Sequence, residues 1–456
     1  MKEKSENKKE EAVGVDPVVT PIVKGKEPPR LLRGMKDLLP QDGMLWDWVE
    51  TTARQVSREA GFERLDPPHL EDVRLFIRAV GKETDIVEKE LFSFVDQGGE
   101  TVALRPEFTA SMVRAYIEHG FLNQPQPVRL YTIGSLFRYE RPQAGRFREH
   151  HQWGIEVIGD QHPVLDAEAM ILALRFFRIL GITVTAEVNS IGCMTCRPPF
   201  REALIAFYRA RRKHLCENCQ RRLAKNPLRL LDCKEPTCQP FKEGAPQIVD
   251  WLCDGCKQHF IKVLEYCDAG GVPYTLSTHL VRGLDYYTKT VFELYTTRTT
   301  GEGETRIALG GGGRYDELVG MLGGRSAPAV GFGIGIERIV GELKIRGITP
   351  PINNRVEVFV AQLGDAGRER ALKLLEEMRT VGLVVRGSLS KDGLKSQLEI
   401  ANRANALITV IIGQKEVLDE TVILREMEGG MQEIVPYDKV IGELQKKLGK
   451  KGGAML

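Results

Sequence analysis

Six consecutive residues, Arg282 to Tyr287, place a guanidinium, a carboxylate and two phenols inside the stretch LVRGLDYYTKTVFE. The alternation that follows, TKTVFELY, is that of a half-buried strand, so the stretch reads as polar chemistry mounted on a strand. Arg282 would then share a face with Leu284 and Tyr286, and Gly283 with Asp285 and Tyr287, so one face can present charge to a pocket. A buried Arg–Asp pair beside two core tyrosines accounts for these residues equally well. Because Arg282 and Tyr287 differ in parity, the segment must bend or bulge if both reach one pocket.

Two more arginines lie near glutamates, Arg138 in FRYE and Arg338 in GFGIGIERIV. Guanidinium forks suit phosphate oxygens, since they donate two parallel hydrogen bonds at fixed geometry. Glycines 331, 333 and 335 alternate, which leaves one strand face bare for a flat ligand or for close strand packing. Eight of the nine cysteines fall between Cys193 and Cys256, as CMTC, CENC, DCKEPTC and CDGC. Pairs of the Cys-x-x-Cys type can converge on one tetrahedral zinc; reduced structural thiols are the alternative. The first choice of ligands is Cys216, Cys219, Cys253 and Cys256, with Cys233 and Cys238 competing for either pair.

The elements that must position these groups follow from pattern and punctuation. GMLWDWVETTARQVSREAGF has helical spacing and stops at Gly61, and the double proline of ERLDPPHLE turns the chain into an extended edge segment. LFSFVDQGGETVAL is a hairpin leading to a helix. RLYTIGSLFRYERPQAGRFREHHQWGIEVIG reads as two antiparallel strands joined by a charged loop, ERPQAGRFREH. Cys-rich, basic helical sequence occupies 193–273. Strands return at Tyr274, followed by a loop TTRTTGEGETR and a glycine-rich strand passing into a helix. After Pro350 and Pro351, alternating strands and helices imply a mixed, largely parallel sheet.

The expected fold is an α+β catalytic domain on a mostly antiparallel sheet, with a helical Cys-rich insertion and a C-terminal α/β mixed-sheet domain. Its segments are a tail at 1–30, the catalytic domain at 31–192 and 274–350, the insertion at 193–273, the last domain at 354–448 and a tail at 449–456. With 456 residues, 42% of them hydrophobic and 28% charged, the composition is that of an ordinary globular protein. A formal charge of +2 requires any nucleic acid to be met by local basic patches. The chain has no apolar run of the ~18 to 20 residues that cross a bilayer, and its first segment mixes Lys with Glu. A cytoplasmic protein is expected, with thiols reduced and no disulfide scaffold.

In combination, these stretches resemble a known family. GFERLDPP, FRYE and GFGIGIERIV are similar, in order, to motifs one, two and three of the class II aminoacyl-tRNA synthetases. RGLDYY and GGRYDELVGMLGG resemble the two signature segments of histidyl-tRNA synthetases, and RGMKDLLP, LRPEFTASMVRAYIEHG and FRYERPQAGRFREHHQWGIEVIG extend the likeness from about Arg33 onward. The resemblance implies a class II synthetase-like sheet that binds bent ATP with Mg2+, a homodimer built on motif one, and an anticodon-reading C-terminal domain. The expected partners are L-histidine, ATP and tRNA(His).

It also implies roles by position. Arg282 and Arg138 would flank the α-phosphorus during attack by the histidine carboxylate, where negative charge builds up. Arg338 and Arg146 would hold the outer phosphates, with Glu140 near the nucleotide. Glu107, Thr109 and Gln152 match positions that hold the α-amino group, and Glu156, Tyr286, Tyr287 and Tyr315 those around the imidazole. Arg141 and Gln143 match readers of the acceptor end. His150 stands where an aromatic residue is usual, and Glu317 where glycine is; neither carries one of these roles. Zinc in the insertion would be a structural aid to tRNA docking, as would its basic runs YRARRKH and QRRLAKNPLRLL. The competing reading is a catalytically inactive, histidine-sensing regulatory relative from histidine biosynthesis. That reading predicts a degraded RGLDYY or motif two and no anticodon-binding domain, features that are intact here.

Overall fold

The structure is a computed structural model that describes residues 28–141, 145–300, 303–351 and 355–449. Gln143 and nearly all of the two expected tails lie outside the described residues. The chain divides into two compact units, one ending at Ile348 and the other beginning at Thr349.

Eight strands form the main sheet of the first unit: β1 (Glu63–Arg64), β2 (Val128–Phe137), β3 (Glu149–Ile158), β4 (Thr185–Ser190), β5 (Tyr274–Leu276), β6 (Thr288–Thr300), β7 (Gly303–Arg314) and β8 (Ala329–Gly335). Their order is β1-β2-β3-β8-β7-β6-β4-β5, antiparallel except at the two edges, where β1 pairs with β2 and β4 with β5 in parallel. The expected hairpin at 91–104 is present, as strands Ser93–Val95 and Thr101–Leu104 in a separate three-stranded sheet with Leu70–Asp72.

Two expectations fail locally. RGLDYY is a loop with a bend at 283–284 and a turn at 285–286, and the strand begins only at Thr288. No parity conflict remains, because a turn can aim Arg282 and the tyrosines at one place. TTRTTGEGETR, expected as a loop, extends β6 and β7 into a long hairpin; its threonines suit a pleated surface.

Both faces of the main sheet are covered. Helices Pro40–Glu59, Val164–Ile179, Asp254–Ala269 and Ile336–Ile345 build one core with residues such as Val49, Val56, Trp153, Phe176, Phe332 and Ile334. In the first of these, Trp48, Val49, Thr52, Ala53 and Val56 form the buried stripe of an amphipathic helix. Val73–Val80 and Thr109–Glu118 cover the other face around Phe76, Met112, Tyr116 and Val291.

The Cys-rich segment has a small core of its own, from Phe200 to Ile248. The helix Asp254–Ala269, although within the stretch expected as an insertion, places Phe260, Val263 and Cys267 in the core of the main sheet.

The second unit orders its strands as Val385–Gly387, Val358–Gln362, Ile408–Ile412, Thr421–Glu426 and Gln432–Pro436, the first three parallel and the rest antiparallel. This is the expected mixed sheet, with one strand, Gln432–Pro436, that the sequence pattern did not reveal.

Candidate active site

The glycine pattern is explained by what lies across it. In the β3–β8 pairing, Gly331 faces Glu156 and Gly335 faces Gln152. A Cβ on Gly333 would sit 2.9 Å from Gln152 Oε1, and one on Gly331 would run into the Glu156 carboxylate and the Ile155 carbonyl. The bare face of β8 is therefore where side chains of β3 lie flat, while Phe332 and Ile334 point into the opposite core. Gln152 and Glu156, four residues apart on one strand, share a face. β3 thus runs from a cleft at one end to a buried pocket at the other.

Arg138, Glu140, Arg146, Gln152, Arg282 and Arg338 all line the cleft, whose volume is about 200 Å³. Arg138 follows the last residue of β2, and its Nε donates to the Pro106 carbonyl at 2.8 Å. Arg338 lies in the first turn of Ile336–Ile345 and donates to the Ala308 carbonyl at 2.5 Å. Burial, and then the charge of Arg146, lower its pKa from the ordinary range, as expected where cations gather. Arg146 is held 3.1 Å from Glu140. Arg282 pairs with Glu293 at 3.2 Å, and its buried Nε has no hydrogen-bond partner among the described residues. Arginines converging on one cleft with a donor to spare suit a polyanion.

The pocket beyond is built from acids and phenols. Glu107 caps the helix Thr109–Glu118, accepting from the amides of Thr109 at 2.7 Å and Ala110 at 2.8 Å, and burial raises its pKa. The Thr109 hydroxyl donates to Glu156 Oε1 at 2.7 Å, and the Tyr315 hydroxyl donates to Oε2. Burial pushes Glu156 up to about 8. Tyr286 donates to Glu107 at 3.3 Å, and the rings of Tyr286, Tyr287 and Tyr315 lie 4.8 to 6.5 Å apart by centroid. Two buried carboxyl groups with no ion pair among the described residues favour a ligand that brings positive charge or N–H donors.

Several residues that the motifs contain but to which they gave no role support this arrangement. Tyr315 is aimed by Arg314, whose fully buried guanidinium meets Asp166 (Nε–Oδ2 3.0 Å) and the Asp160 carbonyl at 3.1 Å. Glu337 accepts from the His151 amide at 2.8 Å, and His151 Nε2 lies 3.0 Å from Ser135 Oγ. Desolvation, reinforced by Arg138, lowers the half-buried His150 to about 3, so it stays neutral in the cleft wall. Asp285, in the middle of RGLDYY, does not line the cleft. It accepts from Asn226 at 2.8 Å, its amide bonds the Val80 carbonyl at 3.2 Å, and its carboxylate packs where a Cβ on Gly81 would stand. No local signal marks these partners, because each contact joins segments remote in sequence. Arg141 is exposed, with no role set by its contacts.

The cysteine assignment needs correction. Cys216 and Cys219 gather with Cys233 and Cys238, whereas Cys253 and Cys256 gather with Cys193 and Cys196. The first-choice set of Cys216, Cys219, Cys253 and Cys256 is split between two places. Cys193 leaves the end of β4 beside the start of Asp254–Ala269, so topology gives it, not Cys216, to the last pair.

The family model described as histidyl-tRNA synthetase matches residues 34–195 and 256–339, and one described as an anticodon binding domain matches residues 357–447. The chain is 44% identical over 417 residues to the histidine–tRNA ligase of Dehalococcoides mccartyi (strain ATCC BAA-2266), covering 91% of this chain and 99% of that protein. It is 43% identical to the histidine–tRNA ligase of Pelotomaculum thermopropionicum, with coverage of 91% and 97%. The crystal structure of apo histidyl-tRNA synthetase from S. aureus superposes with a TM-score of 0.77 at 31% identity, over 92% of this chain and 100% of that one. On these grounds the chain belongs to the histidyl-tRNA synthetase family.

Proposed function

We infer that the chain is a histidine–tRNA ligase that forms histidyl-adenylate from L-histidine and ATP, releases pyrophosphate, and then transfers histidine to the 3′ end of tRNA(His). The observation that carries this reading is the course of β3, which joins the arginine-lined cleft to the acid-and-phenol pocket within one run of strand. Magnesium enters with ATP, as part of that substrate.

The imidazole lies against Glu156, Tyr286, Tyr287 and Tyr315, and the α-ammonium against Glu107, Thr109 and Gln152. This orientation points the histidine carboxylate at the cleft. An oxygen of that carboxylate attacks the α-phosphorus while the bond to pyrophosphate breaks. Arg282 and Arg138 stabilise the charge developing on the phosphoryl oxygens, and Arg338 and Arg146 hold the leaving pyrophosphate. A ribose hydroxyl of the tRNA then attacks the activated carbonyl and expels AMP, with Arg141 and Gln143 at the acceptor end.

The second unit reads the anticodon, in keeping with the domain description it matches. The active form is a cytoplasmic homodimer, and the exposed Leu70, Phe94 and Val95 of the small sheet supply apolar surface for the contact. Cysteines of the insertion hold structural zinc. Among the described residues no helix is long and apolar enough to cross a membrane.

Histidine-dependent exchange of pyrophosphate into ATP, followed by charging of tRNA, tests the reading directly. Folded protein that catalyses no exchange would overturn it in favour of a histidine-sensing relative.

A further inference from the structure

We propose that the chain holds two structural zinc ions in disjoint sites, Cys193, Cys196, Cys253 and Cys256 in one and Cys216, Cys219, Cys233 and Cys238 in the other, and that together they fix the loop carrying Arg282, Tyr286 and Tyr287.

In each group the four sulfurs lie within 4.8 Å of one another. The separations are 3.7 Å for Cys193–Cys196, 3.9 Å for Cys193–Cys253 and 3.9 Å for Cys216–Cys233. A tetrahedral zinc with Zn–S bonds of about 2.3 Å has sulfur–sulfur edges of about 3.8 Å. Sulfurs this close enclose one ion and leave no room for a cluster, and all eight cysteines are free of disulfides.

The surroundings suit thiolates. Backbone amides of Thr195 and Cys253 donate to the sulfurs of Cys193 and Cys196 at 3.4 and 3.1 Å. Those of Cys216 and Cys219 donate to Cys238 and Cys216 at 3.3 and 3.4 Å. Cys196, Cys216 and Cys253 each stand at the N-cap position of a helix, where the positive end of the dipole favours a negative sulfur. Gly192 has a φ of +64°, and a Cβ there would stand 2.6 Å from that of Cys196, so glycine lets the chain fold Cys193 back onto its partners.

Both sites lead to the loop. Next to the first, the Lys289 amide bonds the Gly192 carbonyl at 2.8 Å, and Arg197, directly after Cys196, donates to the Tyr287 carbonyl and to Ile191 O at 3.3 Å. The second anchors the helix Glu217–Lys225. Beyond that helix, Asn226 holds Asp285 at 2.8 Å and Arg229 holds the Arg282 carbonyl at 3.2 Å.

Elemental analysis of the purified full-length chain should find two zinc ions, one for each cysteine group. Titrating the unmodified protein with an organomercurial should release both, and cobalt substitution should give the intense bands of tetrahedral thiolate coordination up to two equivalents. One equivalent or none in folded protein, or iron in place of zinc, overturns the assignment. Cys253→Ser and Cys233→Ser should each retain one ion; loss of both from either single variant would refute disjoint sites. In pyrophosphate exchange each variant should raise KM for histidine about fivefold or more while KM for ATP stays within about twofold. Equal changes in both constants, or none, would overturn the positioning role. That last measurement rests on the loop's assignment to histidine; the metal counts do not, so the two claims fail separately.

Discussion

Arg282 is the residue proposed above to meet the charge that builds up, and its buried Nε has no hydrogen-bond partner among the described residues. Arg282→His removes both the permanent cation and the fork, so adenylate formation should fall by about 10²- to 10³-fold, the range for removing a preorganised donor. ATP binding, assigned above to Arg138, Arg146 and Arg338, should persist by calorimetry. Near-normal exchange in this variant would remove Arg282 from the reaction. Glu156 makes a different kind of prediction, because burial holds it at about 8 against an ordinary 4.5. Between these values the folded chain keeps a proton that the unfolded chain has lost, so this group makes stability fall as pH rises from about 4.5 to about 8. Glu107 is displaced in the same direction. Glu156→Gln should therefore make the decline of Tm across that window shallower without abolishing it. An N–H donor from imidazole favours the ionised carboxylate, so histidine binding at pH 7 should release protons. Calorimetry in buffers of different ionisation enthalpy would detect that release, and a buffer-independent enthalpy would count against it.

Strand β8 shows how an element sets the site through what it lacks. Gly331→Ala would drive a methyl group into the Glu156 carboxylate and the Ile155 backbone, neither of which can yield. Overpacking of this kind costs about 1–3 kcal/mol, readable by denaturant unfolding. Gly333→Ala meets only the end of the Gln152 side chain, at 2.9 Å, which can swing away. It should fold with nearly normal stability and raise KM for histidine; the reverse pattern, an unstable Gly333→Ala with normal KM, would contradict this account of β8. Of these relations, the alternating glycines were visible in the sequence, but the side chains filling their space belong to β3 and emerge only from pairing register. The same holds for RGLDYY. Strand alternation is carried by TKTVFELY and begins at Thr288, while the six residues before it are held by Val80, Asn226 and Arg197 from other segments. A local pattern cannot report such partners. Cysteine grouping failed for a related reason: the CMTC, CENC and CDGC pairs look alike, and only the end of β4 beside a helix start decides which join.

Across the whole chain, Pro350 and Pro351 and the change to strand–helix alternation were enough to separate the last domain, because a separate core requires its own periodic apolar set. The structure divides the chain between Ile348 and Thr349, and each side has its own cores: Val358, Leu374, Val410 and Leu424 lie together within the second unit. Every residue assigned to ATP or histidine lies in the first unit. A chain ending at Ile348 should therefore fold and catalyse histidine-dependent pyrophosphate exchange within about threefold of the full chain, since those residues and the cores that hold them belong to the first unit. Charging is a different matter. A tRNA held at both its acceptor end and its anticodon gains an effective concentration that a single contact lacks, worth about 10²- to 10⁴-fold. With a formal charge of only +2 over the full chain, general attraction to RNA cannot replace that contact. The truncated chain should lose at least about 100-fold in kcat/KM for tRNA(His). A truncated chain that unfolds cooperatively yet shows no exchange would mean that the second unit serves adenylate formation as well as tRNA recognition.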